Sequence, residues 1–381
     1  MKRAAVAVSL GEDKAFLSLG QIKKSHLYSI GTLDINLLCK EEDSFIRLRE
    51  NLELIDQRVK EVEKDKIIRI DRIYFELPWG LENEKVVEDT VPLKRRKKIT
   101  FSDIAFLKRY IEEKFLEWDD YCLHNVVLKY EVGGKVYKNP PLGAVGKKVK
   151  LRCLLFWIKD NRHKELEDMF YNVERSLGKV ICSKMSMLAA SFADKDKTQA
   201  VTSLNYRESY FVVRRKDNVI YGERSDFGLE KLIQAISRQF GLTAGLAEEL
   251  FYRYASFKAV PSYKEITVKK EDTYMNISIQ ALNLFIKRYL RDEISVLFHK
   301  IAEKSDDREF LISFLGQFNS KDGFFSFLKN IIPCTIKSPL FAPNSSAFGT
   351  MNYAINPFLE VDYLRNETLL MKVINVYREY F

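Results

Sequence analysis

Cysteine is scarce in this chain of 381 residues, and the five that occur lie far apart. No two of them form a Cys-x-x-Cys pair, which argues against a zinc site and a disulfide framework and favours a reducing compartment. The four histidines are scattered as well, with no partner at metal-ligand spacing. Gly-x-Ser-x-Gly, His-Glu-x-x-His and Walker A sequences are missing, so none of these enzyme motifs points to a reaction.

Long apolar runs are also missing. No run approaches the roughly 20 residues needed to span a bilayer, and the apolar stretch after Lys2 and Arg3 is too short for a signal peptide. We therefore expect a cytoplasmic protein. The net charge is +9, but Lys and Arg are spread along the whole chain beside many Asp and Glu. This pattern favours a solvated basic surface, and we expect no nucleic-acid partner.

Strands alternate with helices along the chain, which predicts α/β architecture. A hairpin is predicted around Gly11, a third strand over 27–35, and a helix over 41–62 with apolar residues at helical spacing. Residues 67–77 are predicted to form a strand pair. Residues 81–98 are mostly polar and end in five consecutive basic residues, which predicts a loop or hairpin with exposed charge.

Three short strands are predicted within 199–223, followed by a helix over 229–240. This meander and helix resemble the second phosphate hairpin of the actin-like ATPases. In that superfamily the first turn carries an Asp and several glycines, because backbone N–H groups must approach phosphate closely. Here Ser203 takes the place of the Asp and Asn205 that of a Gly.

Several further segments resemble FtsA, the bacterial cell-division homologue of actin. Residues 130–149, YEVGGKVYKNPPLGAVGKKV, are similar to the signature Tyr-x-Val-(Asp)-Gly followed by Pro-Leu-Gly-x-x-Gly. Ile99-Thr100 and Asp103-Ile104 match the element before it, and Phe348-Gly349-Thr350 resembles the last loop before the closing helix. The resemblance implies an actin-like (ribonuclease H-like) two-lobed ATPase fold with an inserted SHS2-type subdomain. The implied division is 1–68 and 159–197 for the first lobe, 69–158 for the insertion, 198–357 for the second lobe and 358–381 for a linker and tail.

The first phosphate loop departs from this family. Ser9 stands where the family has Asp, Gly11 is kept, and Glu12 and Asp13 follow. Two carboxylates at a turn meant for a triphosphate would repel it.

On the adenosine side Glu248 is kept, but Phe251 stands where Lys is expected. By resemblance, the residues left of a nucleotide cleft are Gly11, Glu248 and Gly316. Hydrolysis needs bound Mg²⁺ and a positioned water, and these loops have lost the groups that hold them. We therefore predict a pseudo-ATPase without a cofactor or metal, and we find no catalytic residues to name. The alternative is an active or weakly active actin-like ATPase with unusual loops, which would bind ATP.

The tail 366–381 has the period of an amphipathic helix. Its apolar residues include Leu369, Leu370, Val373, Tyr377 and Phe381. In FtsA a C-terminal amphipathic helix anchors the protein to the inner membrane, so these residues are candidates for peripheral contact with its cytoplasmic face. The alternative is a helix packed on the second lobe.

The resemblance implies a cell-division scaffold or adaptor. Its partners would be the tubulin-like division protein FtsZ, other divisome components, and the chain itself as a filament. A related alternative is a pilus-assembly adaptor like PilM, which would capture the tail of a membrane protein.

Overall fold

The computed structural model describes residues 2–23, 26–191, 197–215, 219–259, 264–270, 273–307, 309–339 and 345–355. Its first sheet has five strands in the order β3-β2-β1-β4-β9. The strands are β1 (Lys2–Leu10), β2 (Lys14–Lys23), β3 (His26–Asn36), β4 (Ile68–Leu77) and β9 (Leu177–Cys182). The first three form an antiparallel meander, and β4 runs parallel to β1 and to β9.

Helix α1 (Ser44–Lys66) packs on this first sheet. It begins at Asp43, whose side chain accepts hydrogen bonds from the N–H groups of Phe45 and Ile46, and it ends at Ile67 in a left-handed conformation. The residues predicted to face inward are buried: Phe45, Leu48, Leu52, Ile55 and Val59. Helix α3 (Asp160–Asn172) joins the same core through Leu166 and Phe170.

A second, four-stranded sheet is inserted after β4, in the order β5-β8-β6-β7. Its strands are β5 (Asn83–Lys98), β6 (Asp120–Val132), β7 (Lys135–Tyr137) and β8 (Val145–Lys159). Helix α2 (Phe101–Phe115) covers one face and starts with a capping box between Thr100 and Asp103. The sequence signature and the element before it meet here, because Gly143 donates its N–H to the carbonyl of Ile99 at 2.9 Å.

Two expectations need correction in this region. The insertion was expected from residue 69, but β4 pairs with β1 and β9 and belongs to the first sheet. The loop or hairpin predicted for 81–98 is instead the long strand β5, which pairs with β8 from Asn83 to Lys98 around one irregularity. Val87 and Val91 alternate inward along this strand, so its polar residues lie on the outer face of a half-buried strand.

The second lobe is built on a mixed sheet in the order β12-β11-β10-β15-β16. The meander predicted within 199–223 is present as β10 (Gln199–Leu204), β11 (Ser209–Arg214) and β12 (Ile220–Ser225). The strands β15 (Leu311–Gly316) and β16 (Thr335–Lys337) complete the sheet, each parallel to its neighbour. Around it lie α5 (Leu229–Phe240), α6 (Ala244–Tyr254), α7 (Ile279–Ser305), α8 (Phe324–Ile331) and the hairpin β13 (Glu265–Lys270) with β14 (Thr273–Ser278).

Two helices lie between the two five-stranded sheets and join the lobes. They are α4 (Ser183–Ala189) and α9 (Ser345–Ile355), and they share one core with residues of both sheets, such as Ala7 and Val201. The helices are very close at Gly349, where an added Cβ would lie 2.0 Å from the carbonyl oxygen of Ser186. The molecule is therefore a two-lobed mixed α/β structure whose lobes share a buried interface.

No helix of the described part of the chain is long and apolar enough to cross a membrane. The predicted amphipathic tail, with Leu369, Leu370, Val373, Tyr377 and Phe381, lies outside the described residues.

Candidate functional site

A cleft of about 740 Å³ opens between the two lobes. Its walls combine the turn after β1, the turn between β10 and β11, and the end of β15. The structure thus brings Gly11 and Gly316 to one site. Glu248 does not line the cleft, but its carboxylate interacts with Tyr206, which does. Burial and the carboxylates of Glu248 and Glu230 raise the pKa of Tyr206 to about 12.

Local backbone geometry explains why glycine occurs at positions 11 and 316. Gly11 donates its N–H to the carbonyl of Lys14 at 2.8 Å, and an added Cβ would lie 2.8 Å from that same oxygen. Gly316 has a φ of +100°, and an added Cβ would lie 2.2 Å from the carbonyl oxygen of Leu204. A tight hairpin and a close strand pair therefore account for these glycines without a ligand.

The carboxylate of Glu12 crosses the cleft to the second lobe. Its Oε2 accepts a hydrogen bond from the backbone N–H of Arg207 at 2.9 Å. Burial raises the pKa of Glu12, although the Arg207 amide and the guanidinium groups of Arg207 and Arg47 act to lower it. A backbone N–H at a turn is a donor that can bind an anion. In this cleft the N–H of Arg207 is already bonded to an anionic side chain of the protein itself.

Arg47 reaches the same cleft from the first turn of α1 and is 5% exposed. It donates to the carbonyl of Glu41 at 2.6 Å and to the hydroxyl of Ser44 at 3.2 Å. Its Nε is buried and has no hydrogen-bond partner among the described residues. Burial lowers the pKa of Arg47, and the nearby Glu12 acts in the opposite direction.

The turn between β10 and β11 is held in place by backbone hydrogen bonds to the start of α5. The N–H groups of Leu229 and Glu230 bond to the carbonyls of Asn205 and Tyr206 at 3.0 and 2.7 Å. Gly228 permits this contact, because an added Cβ would lie 2.2 Å from the carbonyl carbon of Arg207. The N–H groups at the start of α5 are therefore satisfied by backbone carbonyls of the protein itself.

A buried carboxyl group lies at the base of the cleft. Glu76, at the end of β4, accepts hydrogen bonds from the hydroxyls of Ser346 at 2.5 Å and Thr350 at 3.5 Å, both on α9. The hydroxyl of Ser9 also favours the charged form of Glu76, whereas the hydroxyl of Ser183 donates to the carbonyl of Leu77 at 2.5 Å. Burial raises the pKa of Glu76 in spite of these bonds. The group ties β4 to the helix between the lobes.

One aromatic pair joins the lobes at the mouth of the cleft. Trp79 stacks on Tyr210 with ring centroids 4.8 Å apart, and the Lys184 ammonium lies 5.1 Å from the Trp79 ring centroid. Tyr210 is hydrogen-bonded to Glu208, and burial together with that bond raises the pKa of its hydroxyl.

The charge of the cleft is unfavourable for a polyanion. Seven acidic residues line it against four basic ones, Arg47, Arg207, Arg224 and Lys231. A triphosphate would meet net negative charge and would have to displace Glu12 from its hydrogen bond. The arrangement favours closure of the cleft by the protein's own side chains over binding of a nucleotide.

Phe251, which stands where the family has Lys, belongs to the core of the second lobe. It is 1% exposed and its ring contacts that of Phe318 at a centroid distance of 5.7 Å. Lys321 lies over the Phe251 ring and donates to the carbonyls of Phe251 and Tyr252 at the end of α6.

The predicted absence of a zinc site remains a prediction. The described residues contain one group of acidic side chains close enough to share a metal ion, at Glu117, Asp119 and Asp120. The ammonium of Lys159 lies within 3.1 Å of a carboxylate oxygen of all three. These contacts raise the pKa of Lys159, and they explain the group as an ion-pair cluster.

Sequence reasoning located the loops of the cleft but missed Arg47, Glu76, Trp79 and Tyr210. A signal existed for Glu76, because it is a lone acid near the end of the otherwise apolar run Ile73–Leu77. The sequence contains no such signal for Arg47, because it lies between Ile46 and Leu48 like any surface residue of an amphipathic helix.

Many solved structures resemble this chain, and three of them that align over nearly its whole length are described here. The PilM-PilN type IV pilus biogenesis complex aligns with a TM-score of 0.52 and 12% identity, covering 93% of this chain and 97% of that one. Ethanolamine utilization protein EutJ from Carboxydothermus hydrogenoformans gives 0.52 and 9%, covering 92% and 89%. A diol dehydratase-reactivating factor in nucleotide-free form gives 0.52 and 9%, covering 93% and 100%.

No protein-family model and no curated protein matches the sequence. At these identities the structural likeness shows the fold alone. It confirms the predicted α/β, two-lobed actin-like fold, because the neighbours belong to the actin-like ATPase superfamily. The resemblance to FtsA in particular and the SHS2 type of the insertion stay predictions from the sequence.

Proposed function

We propose that this chain is an adaptor of the actin-like fold that binds partner proteins and does not run an ATPase cycle. The observation that carries the proposal is the hydrogen bond from the Arg207 backbone N–H to Glu12 across an acidic cleft. A carboxylate in that place competes with phosphate for the same donor and repels it. Closure of the lobes then depends on the protein's own side chains.

Titration with a fluorescent ATP analogue, with Mg²⁺ and with EDTA, tests the loss of nucleotide binding. We expect no saturable binding at micromolar concentrations in either condition, because Ser9 and Ser203 stand where the actin-like ATPases have Asp and because the cleft carries excess negative charge. Micromolar binding that requires Mg²⁺ would contradict the proposal and would favour the alternative of an actin-like ATPase. Far-UV circular dichroism of the same sample controls for folding.

Two partner classes follow from the resemblances. As an FtsA-like scaffold the chain would bind FtsZ or other divisome components, would self-associate into filaments, and would contact the cytoplasmic face of the inner membrane through its tail. The whole-length likeness to the PilM-PilN complex favours a second candidate, an adaptor for pilus assembly that binds another protein of that machinery. Both are proposals about a cytoplasmic protein-binding role.

Co-sedimentation tests the scaffold role. Full-length chain and a 1–365 truncation are pelleted with liposomes containing anionic lipid and, separately, with FtsZ polymers. We expect the liposomes to pellet only the full-length chain, because the truncation lacks Leu369, Leu370, Val373, Tyr377 and Phe381. Equal pelleting of both forms with liposomes would exclude the tail anchor. Failure of both forms to pellet with FtsZ would favour the pilus-type adaptor.

A further inference from the structure

One face of the inserted sheet is exposed to solvent near the start of β8, in the part of the chain that the structure describes. Helix α2 covers the opposite face, where Val149, Leu151 and Cys153 of β8 are buried. Side chains alternate between the two faces of a strand, so the residues between these three lie on the exposed side. All of them are cations, and they are exposed or half-buried: Lys148, Lys150 and Arg152. We call this side the open face of the insertion.

The neighbouring strands contribute to the open face. Lys129 of β6 lies opposite Arg152, and Glu131 lies opposite Lys150 on one side and Val136 of β7 on the other. Residues opposite each other in neighbouring strands have their side chains on the same face of the sheet. Val136 is apolar and 56% exposed, so the open face presents an aliphatic side chain beside its charges.

The charge of the open face is positive. Its cations Lys129, Lys148, Lys150 and Arg152 outnumber two acids, Glu131 and Glu88, of which Glu88 forms an ion pair with Lys150.

Further exposed cations lie at the same end of the sheet, where β5 ends, β8 begins and β6 turns into β7. We call them the basic rim: Arg96, Lys98, Lys135, Lys138 and Lys147. These residues appear spread out in the sequence, and the strand pairing brings them together. The acidic group at Glu117, Asp119 and Asp120 lies at the other end of the same sheet, so the insertion is polarised in charge.

The composition of this end favours a flat anionic surface as its ligand. Two more aliphatic side chains are exposed beside the basic rim, Leu142 at 39% and Val145 at 48%. The rings of Tyr130 and Tyr137 lie on the covered face with the α2 core, so they are not placed to stack on nucleic-acid bases from the open face. A cluster of Lys and Arg with a few exposed aliphatic side chains is typical of surfaces that bind anionic membranes.

We propose that the open face and the basic rim bind the surface of an anionic lipid bilayer. The inference rests on the membrane contact in the proposed function, which it extends from the tail to the insertion. The tail has little net positive charge, because Lys372 and Arg378 are offset by Glu367 and Glu379. One weak anchor gives only marginal attachment to a membrane, and stable attachment needs two. The insertion supplies the electrostatic part, and the tail supplies the apolar part.

Co-sedimentation of the full-length chain with vesicles of phosphatidylcholine containing one quarter phosphatidylglycerol tests the open face. The double variant Lys148→Gln/Arg152→Gln is compared with the unaltered protein and with the control Arg109→Gln/Lys329→Gln. The control removes the same two kinds of charge at exposed positions, on α2 and on α8.

We expect the double variant to bind these vesicles at least about tenfold more weakly than the control, because each cation near an anionic surface strengthens binding several-fold. The difference should shrink at high salt and disappear on pure phosphatidylcholine. Circular dichroism spectra that match that of the unaltered protein verify folding. Equal binding by the folded double variant and the control would overturn the proposal.

Tryptophan fluorescence locates the contact independently. Val136→Trp places an indole on the open face, and Phe106→Trp places one on α2, where Phe106 is 51% exposed. The signal of the three native tryptophans is subtracted by measuring the unaltered protein. We expect a blue shift, and quenching by brominated lipid, for Val136→Trp alone. Quenching of Phe106→Trp to the same or a greater extent would mean that the open face does not lie against the bilayer.

The inference and the adaptor proposal can fail separately. If the double variant binds vesicles as the control does, the open face is excluded, while absence of MgATP binding by the unaltered protein still supports the adaptor. If the unaltered protein binds MgATP at micromolar concentration, the adaptor proposal fails, while weaker vesicle binding by the double variant still supports the open face.

Soluble polyanions distinguish the lipid from other acidic partners. Polyglutamate and a single-stranded oligonucleotide are titrated into the unaltered protein and the double variant. If the substitutions weaken binding of either polymer but leave vesicle binding unchanged, the open face belongs to an acidic protein or a nucleic acid, and the lipid assignment is overturned. Weaker vesicle binding without saturable binding of either polymer supports it.

Discussion

At the scale of single residues, Glu12 connects the two lobes, because its carboxylate accepts a hydrogen bond from the backbone N–H of Arg207. The sequence locates the turn at Gly11 and the acids Glu12 and Asp13 that follow it, because both are local features of one loop. The partner of Glu12 is an amide 195 residues away, and such a contact is decided by the tertiary fold. Gly316 was interpreted as a remnant of nucleotide binding, whereas its positive φ and its contact with Leu204 give it a structural reason.

Glu76 permits a prediction about stability and pH. Its pKa in the folded state is raised by burial, so folding favours the protonated form. The stabilisation that this carboxyl provides is therefore complete below its ordinary pKa and is lost as the pH rises through the folded-state value. The variant Glu76→Gln keeps the shape but cannot ionise. We expect the variant to gain in unfolding free energy relative to the unaltered protein as the pH rises from 5 to 8.

Urea unfolding at several pH values measures this difference, and Glu63→Gln is the control. Burial raises the pKa of Glu63, but hydrogen bonds from Arg175 and from the Ile70 N–H, together with the charge of Arg175, outweigh burial, and the net shift is downward. Its contribution is lost only as the pH falls below the ordinary glutamate value, so its difference from the unaltered protein should stay constant between pH 5 and 8. A flat difference for Glu76→Gln over that range would show that the carboxyl is ionised throughout.

At the scale of elements, hydrophobic periodicity was sufficient to predict a helix or a strand where one of its faces is buried in a single core. The stripe of α1 and the strands of the meander β10–β12 were predicted for this reason. β5 was missed because its polar residues alternate with only a few apolar ones, and the strand is held by its pairing with β8. Strand pairing between distant segments leaves little trace in the pattern of one strand.

The insertion shows a related limit. Its motif residues identify it as a separate unit, but the motif does not tell where the preceding strand ends. The second half of β4, Ile73–Leu77, is buried on both faces, which is typical of a strand inside a sheet flanked by parallel neighbours.

For the whole molecule, the central question is what holds the two lobes together. The shared core around α4 and α9 is one answer, and the contacts across the cleft are another. Neither is visible in the sequence, because each combines residues that lie far apart along the chain. The fold could be predicted from a few motifs that occur in the expected order. The contacts that close the cleft could not, because they depend on the tertiary structure.

The stack of Trp79 on Tyr210 offers a direct measurement of coupling between the lobes. A double-mutant cycle of Trp79→Ala and Tyr210→Ala, followed by urea unfolding, isolates the pair from the other contacts of each ring. We expect a coupling free energy of about 0.5–1.5 kcal/mol, the usual range for a stacked aromatic pair. In a parallel cycle Tyr210→Phe keeps the ring and removes only the hydroxyl that bonds to Glu208. Because the ring makes the contact, this second cycle should show little coupling with Trp79. Strictly additive effects in the first cycle would mean that the rings are apart in solution and that the cleft is open there.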